Sequence, residues 1–408
     1  MPRLQRNVSP LVVSVLSLSA TLLSPVLLGA DDEAEARSVV RVQLPNDFPV
    51  GLPAPVAGTL EGSAPESTQF ILKPTQGRRP AVPGQLDPAS GKVWFFWQAN
   101  NREPGTTLSF KVLPLDSAPI ARVREQSDGF QFYESDRPVL FYQREPKSQE
   151  GKFTRAGYVH PLLGLDGELI SEDFSEDHPH QRGVFWAWHQ LLVGGRAVGD
   201  PWVTTDHLTL VRNAGIVAQG PVFATLVVDA VWTSPLSTDS SGNERPLVEE
   251  RTTIRMFRST AGSQPIDFEV ALRALVPDVK IGGAEAEVGY GGFTVRVKPP
   301  GDMILSDAIG TLSEDRIQQA SPWADASGHF GPQLVSGVSI LSHPSLPEFP
   351  PKWVLRHYGM QNVAYPGRYA VPLSQDEPLV LRHRVLVHRG DAQAARTPEQ
   401  QRVYELSE

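Results

Sequence analysis

The chain has 408 residues, 37 basic against 46 acidic for a net charge of −9, and no cysteine. The acidic balance argues against nucleic acid or an anionic membrane surface as a partner. The lack of cysteine excludes disulfides, thiolate metal sites, iron–sulfur clusters and cysteine nucleophiles, so stability must rest on an apolar core.

At the N-terminus, Arg3 and Arg6 precede an apolar run over residues 11–28, which ends before Ala30 and gives way to "DDEAEAR". A basic start, a short apolar stretch and a small residue are the parts of a secretory signal peptide, assigned here to residues 1–30. Ser14, Ser17, Ser19, Thr21 and Pro25 interrupt the run, and no other stretch approaches the roughly 20 apolar residues of a membrane-spanning helix. The mature chain is expected to be exported, periplasmic or extracellular, with no membrane span. Losing Arg3 and Arg6 with residues 1–30 moves the net charge from −9 to −11.

Thirty-seven prolines and 34 glycines punctuate the remainder, and short period-two or apolar runs recur between them, the pattern of an all-β protein. Segments 91–99 and 106–115 read as a hairpin across "NNREPG", as do 129–135 with 137–145, and 222–234 with 246–257 across a polar turn. Further strands are predicted at 266–275, 291–299, 337–343 and 378–388. One helix is predicted at the end, with Thr397 as N-cap, Pro398 at N1 and Gln400 at N3. Residues 31–118 carry four or five strands without clustered polar chemistry and read as a small N-terminal β-sandwich domain. Residues 119–390 form the main domain, and 391–408 a C-terminal helix or tail.

Alternation sorts the polar residues. In "EERTTIRMF", Glu250, Thr252, Ile254 and Met256 share one face, with Glu249, Arg251, Thr253 and Arg255 on the other. In the next strand Phe268, Val270, Leu272 and Ala274 oppose Asp267, Glu269 and Arg273. The outer faces would then form a ladder of mixed charge, either solvated or a polar concave face that binds sugars or acids. Glu250 falls on the apolar face, where a carboxylate needs a partner or a raised pKa, and so is a candidate for function.

The densest chemistry is "DFSEDHPHQRGVFWAWHQ", residues 173–190, with three of the ten histidines. His178 and His180 suit two roles, metal ligation with Asp173, Glu176 and Asp177 and a third nitrogen from His189 or His207, or general acid–base work beside Arg182. If the following segment is a strand, Trp186 and Trp188 share a face fit for stacking on a sugar ring or for filling a core.

The segment "AGYVHPLLGLDGELISEDFSEDHPHQRGVFWAW", followed by "DPWVTTDH", "EERTTI", "SPWADASG", "SILSHPSLPEFPPKW" and "LRHYGM", resembles the bacterial family described as methane oxygenase PmoA-like, a domain of unknown function. The likeness runs over residues 119–390. That family's block has a second consecutive histidine where this chain has Gln181, which cannot take up a proton near neutral pH and is a poor metal ligand. The resemblance implies a large antiparallel β-sandwich, a supersandwich like that of sugar mutarotases. It does not imply a membrane methane monooxygenase subunit, since the mature chain has no span.

Together these readings predict an exported carbohydrate-active protein, an enzyme of the hydrolase, lyase or epimerase class acting on a sugar or oxidised glycoside. The candidate catalytic residues are His178, His180, Arg182, Glu250 and Arg251. His160, Gln181, Trp186, Trp188, His207, His343, Trp353, Arg356 and Tyr358 are candidates to bind the small-molecule or oligosaccharide substrate. No cofactor is predicted; a divalent metal at His178, His180 and Asp173 is the alternative. A non-catalytic carbohydrate-binding or envelope protein, or a metal-dependent oxygenase as the family name implies, are the other functions considered.

Overall fold

In strand Lys92–Gln98 nearly every side chain is buried, on both faces. Val93, Phe95 and Trp97 fill the interior of a closed six-stranded barrel formed by residues 38–114. Trp94 and Phe96 point the other way and pack on Val222, Phe223 and Phe257 of the main domain. The computed structural model describes residues 38–62 and 67–407; the signal peptide expected at 1–30 lies outside them. Among the described residues no helix is long and apolar enough to cross a membrane.

The main domain is a sandwich of two nine-stranded antiparallel sheets. The first runs from Arg316–Ala320 at one edge through Lys352–Arg356, Met360–Val363, Gly292–Arg296, Val184–Ala187 and Tyr158–Leu162 to Ala121–Glu125 at the other. The second has Phe223–Thr233, Val248–Phe257, Ser263–Ala274 and Leu379–Arg389 at its centre. The core lies between them, with Trp186, Phe293 and Val295 from the first sheet against Ile254, Phe268 and Val385 from the second. A four-stranded sheet, Arg196–Gly199, Gln190–Val193, Val279–Gly282 and Val371–Pro372, stands beside them. The expected all-β architecture with a large antiparallel sandwich is therefore present, but the N-terminal segment, expected as a small sandwich, is instead a closed barrel, because its first and last strands pair with each other.

Local patterning placed most strands and their faces. Glu249 opposes Arg273 in register and pairs with it at 2.5 Å, while Arg384 pairs with Asp267 at 2.6 Å. The expected hairpin 91–115 is a correction. Lys92–Gln98 pairs with Pro53–Gly62 and Val82–Leu86, and Thr107–Pro114 closes the barrel on Ser38–Gln43 and Gln69–Pro74. The C-terminal helix, Thr397–Glu405, starts one residue earlier than predicted: Arg396 is the N-cap, in a left-handed conformation, and Thr397 is inside. It is no free tail, because Val403 enters the barrel core and Tyr404 packs with Leu386 of the sandwich.

Two candidate substrate residues are core groups instead. His207 bonds Thr209 at 3.1 Å and lies edge-on to Trp232. His343 is buried against Ser345 and Tyr404, at the wall of a cleft on the outer face of the second sheet. His383, buried against Phe293, completes the set. Burial holds both His207 and His383 at a pKa of about 3, below their ordinary 6.5. Because the folded values lie below the unfolded one, these groups support the fold fully above pH 6.5, and that support is lost as pH falls towards 3. A His383→Leu variant should therefore show a shallower loss of urea midpoint between about pH 6.5 and 4 than the parent. Equal slopes would show that His383 does not govern acid stability.

Candidate functional site

The outer face of the first sheet carries a second apolar layer, Tyr158, Phe185, Ala187, Trp202, Val354 and Met360, and on it lies a cavity of about 310 Å³. Its walls include His178, His180, Gln181, His189, Trp202, Tyr290, Asp315, Arg356 and Tyr358. The loop before strand Val184–Ala187 brings three of them. Its ends are pinned to strand Gly292–Arg296, since Glu172 donates to the Arg296 carbonyl at 3.0 Å and Arg296 to that of Gly183 at 2.8 Å. Within it, the amide of Gln181 closes a turn on the His178 carbonyl at 2.9 Å.

Gly183 ends this turn with φ +55°, and a Cβ there would sit 2.0 Å from the carbonyl oxygen of Val159. No L side chain fits without moving the central strand. Gly183→Ala is expected to cost at least about 2 kcal/mol, read as a lowered thermal midpoint. An unchanged midpoint would mean the loop is not held as described.

Arg296, buried under the loop, organises it. Its guanidinium donates to Glu172 at 3.0 Å, Gln181 at 3.2 Å and Asp177 at 2.7 Å, and lies 4.7 Å over the Tyr358 ring. Gln181 in turn donates to the Tyr358 hydroxyl at 3.3 Å. Burial works against the Asp177 carboxylate, but the hydrogen bond from His178 and the charge of Arg296 outweigh it and hold its pKa at about 2. Burial raises the Tyr358 hydroxyl.

Two imidazoles on the cavity wall are held by carboxylates. His178 Nδ1 lies 2.8 Å from Asp177 Oδ2, with its ring stacked on Tyr358 at 4.4 Å. His189 Nδ1 lies 2.8 Å from Asp200 Oδ2, with its ring between Trp202 and Tyr290, at 5.6 and 4.8 Å. A carboxylate only accepts, so each Nδ1 carries the hydrogen and each Nε2 is the basic nitrogen. His189 Nε2 is buried beside the cavity and has no hydrogen-bond partner, so a substrate reaches it only by displacing the side chains that cover it. The other Asp200 oxygen accepts the amides of Trp202 and Val203, which folds the turn that delivers Trp202. His180, 5.8 Å from His178 between ring centres, is held neutral by burial at a pKa of about 4.

The family model described as "Family of unknown function (DUF6807)" matches residues 130–401. The chain belongs to this family. That corrects the PmoA-like membership read from the motifs, for which no family match is shown. No curated protein matches the DUF6807 chain by sequence. By structure it is similar to an alpha-mannosidase from Enterococcus faecalis V583, with TM-score 0.46 and 10% identity over 90% of this chain and 45% of that one. It is also similar to a protein in the Glycosyl Hydrolase Family 38 from Enterococcus faecalis, with TM-score 0.42 and 9% identity over 90% and 47%. The chain spans less than half the length of either.

Of the residues predicted from sequence, the cavity of this DUF6807 protein gathers His178, His180, Gln181, Arg356 and Tyr358. The others lie elsewhere. Arg182 is fully buried beneath the loop, paired with Asp173, sandwiched on Phe174 at 3.4 Å and bonded to the Phe153 carbonyl at 3.0 Å, so it is a structural pillar. Asp173, thus occupied and also held by Lys147 at 2.9 Å, is not available as a metal ligand. No group of three His, Cys, Asp or Glu among the described residues is placed to hold a metal ion. His160 bonds Ser171 at 2.9 Å outside the cavity, and burial depresses it to about 4.

Trp186, Trp188 and Trp353 face the inner core. Trp188 donates to the Tyr365 carbonyl at 2.9 Å and Trp353 to that of Ser321 at 2.7 Å, so none can stack on a ligand. Glu250, buried among them, accepts both the Trp186 and Trp232 indoles, and burial raises its pKa. Arg251 is solvated on the far sheet beside Asp229. Sequence reading missed Asp200, Trp202, Tyr290, Arg296 and Asp315. Asp200 and Trp202 stand in the quoted "DPWVTTDH", and an aspartate that both starts a turn and lies near a histidine cluster was the available signal.

Proposed function

We propose that this cavity carries out acid–base chemistry on a carbohydrate, a sugar or oxidised glycoside, in an exported enzyme of the lyase or epimerase kind. The observation that carries the reading is the pair of imidazoles, His178 and His189, each oriented through Nδ1 by its own aspartate on the wall of one cavity. Such an arrangement sets Nε2 as base on one group and, once protonated, as acid on the other. Abstraction of a C–H next to a carbonyl leaves its electron pair as an enolate, whose oxygen Arg356 is placed to stabilise. The second imidazole then protonates either the departing β-oxygen or the carbon. Tyr290, half-buried, gives the cavity an apolar wall suited to a sugar ring, and the buried Trp202 backs it.

Hydrolysis by a pair of free carboxylates has less support. Asp177 and Asp200 are occupied by the imidazoles, and Asp315 by Arg356 and His357 at 3.1 and 2.9 Å. The test is a panel of glycosides and 3-keto-glycosides offered to the parent protein and to His178→Ala, His180→Ala and His189→Ala. Loss of His178 or His189 should lower turnover by about 10²–10⁴ with circular dichroism unchanged. Full turnover in every variant would refute the acid–base reading. Ligand-induced tryptophan quenching without turnover by the parent would make the protein a binding module.

A further inference from the structure

A second cleft, of about 490 Å³, opens on the opposite side of the sandwich, on the outer face of the second sheet. Three parts of the fold build it: Asp87 and Trp94 from the barrel, Arg255, Glu269 and Arg382 from the sheet, and Tyr404 from the C-terminal helix. Sequence reading raised a surface binding sugars or acids on these strands as the alternative to a merely solvated ladder, and the structure shows the ladder roofed at one end by the barrel.

We propose that this cleft is a binding site for a neutral oligosaccharide, distinct from the histidine cavity. Its three carboxylates are matched in place, Asp87 with Arg255 at 2.7 Å, Glu269 with Arg382 at 2.7 Å, and Asp267 with Arg384 at 2.6 Å, and Lys92 adds a further positive charge to the wall. Paired groups of this kind do not call for a counter-ion. They present fixed donors and acceptors in alternation, which suits hydroxyl groups that both give and take hydrogen bonds. Asp87 is anchored further by Ser90 at 2.7 Å and by the amide of Ala89 at 3.2 Å, so the wall is preorganised. Trp94 and Tyr404 are buried behind the barrel and helix sides of the wall, so polar groups face the cleft. The site explains why the barrel docks through Trp94 and Asp87 on the sheet rather than hanging free: it completes the cleft.

The test is calorimetric titration of the full chain with cellohexaose, xylohexaose and mannohexaose. Arg382 and Glu269 are a half-exposed pair, so Arg382→Ala/Glu269→Ala should fold and bind at least tenfold more weakly. Thr253→Trp, which fills the cleft and leaves the ion pairs in place, should do the same. His189→Ala should bind as the parent does, whether or not the histidine cavity is catalytic. The proposal is overturned if no hexasaccharide binds the parent below about 10 mM. It is equally overturned if binding survives Thr253→Trp and the double variant, or disappears in His189→Ala.

Discussion

Exchanging Asp200 for asparagine is expected to lower turnover by about 10²–10⁴ with little change in KM. The carboxylate now accepts from His189 Nδ1 at 2.8 Å and, through its other oxygen, from the amides of Trp202 and Val203 at 3.0 and 3.1 Å. A carboxamide can keep the two amide bonds with its oxygen, so the turn that carries Trp202 survives. Its amino group, however, donates towards His189 Nδ1 and forces the hydrogen onto Nε2. The imidazole remains in place but is no longer a base. Asp200 is not among the cavity-lining residues, so substrate affinity should hold while kcat falls. A variant with full kcat would show that the tautomer of His189 is irrelevant to the chemistry.

Replacing Glu250 by alanine is expected to destabilise the fold by about 3–5 kcal/mol. Its carboxylate accepts the indole N–H of Trp186 at 2.9 Å and of Trp232 at 2.8 Å, and the hydroxyl of Thr252 at 3.0 Å. Trp186 belongs to the first sheet and Trp232 to the second, so Glu250 is a polar tie across the core. Truncation strands three buried donors, two indoles and a hydroxyl, and leaves a cavity; Glu250→Gln keeps one good acceptor and should cost roughly 1–3 kcal/mol. Urea unfolding followed by tryptophan fluorescence measures both. An alanine variant within about 1 kcal/mol of the parent would mean that the indoles find other partners.

These two residues also show what was legible in the sequence. Period-two alternation correctly put Glu250 with Thr252, Ile254 and Met256 on a buried face, yet it could not say that two tryptophans from separate strands await it there. The same limit misassigned Trp186. Strand Val184–Ala187 is buried on both faces, one by the core and one by the loops over the cavity, and alternation alone cannot tell them apart. His178, His180, Arg356 and Tyr358 were recoverable because the first two lie together in a polar turn and the others in one short motif. Arg296, Tyr290 and Asp315 were not, because they reach the cavity only through strand order. Barrel closure, which separates 92–98 from 107–114, is likewise a property of the whole sheet and not of the turn between them.

The central claim is that the histidine cavity moves a proton at a carbon of a bound sugar. The most direct measurement is hydrogen exchange: each 3-keto-glycoside of the panel is incubated with the protein in D2O, and deuterium at the carbon next to the carbonyl is read by NMR. The account predicts incorporation with the parent protein and its loss in His189→Ala and Asp200→Asn. Incorporation at the parent rate in both variants, or none with the parent while the same sugars bind in the cavity, would contradict it.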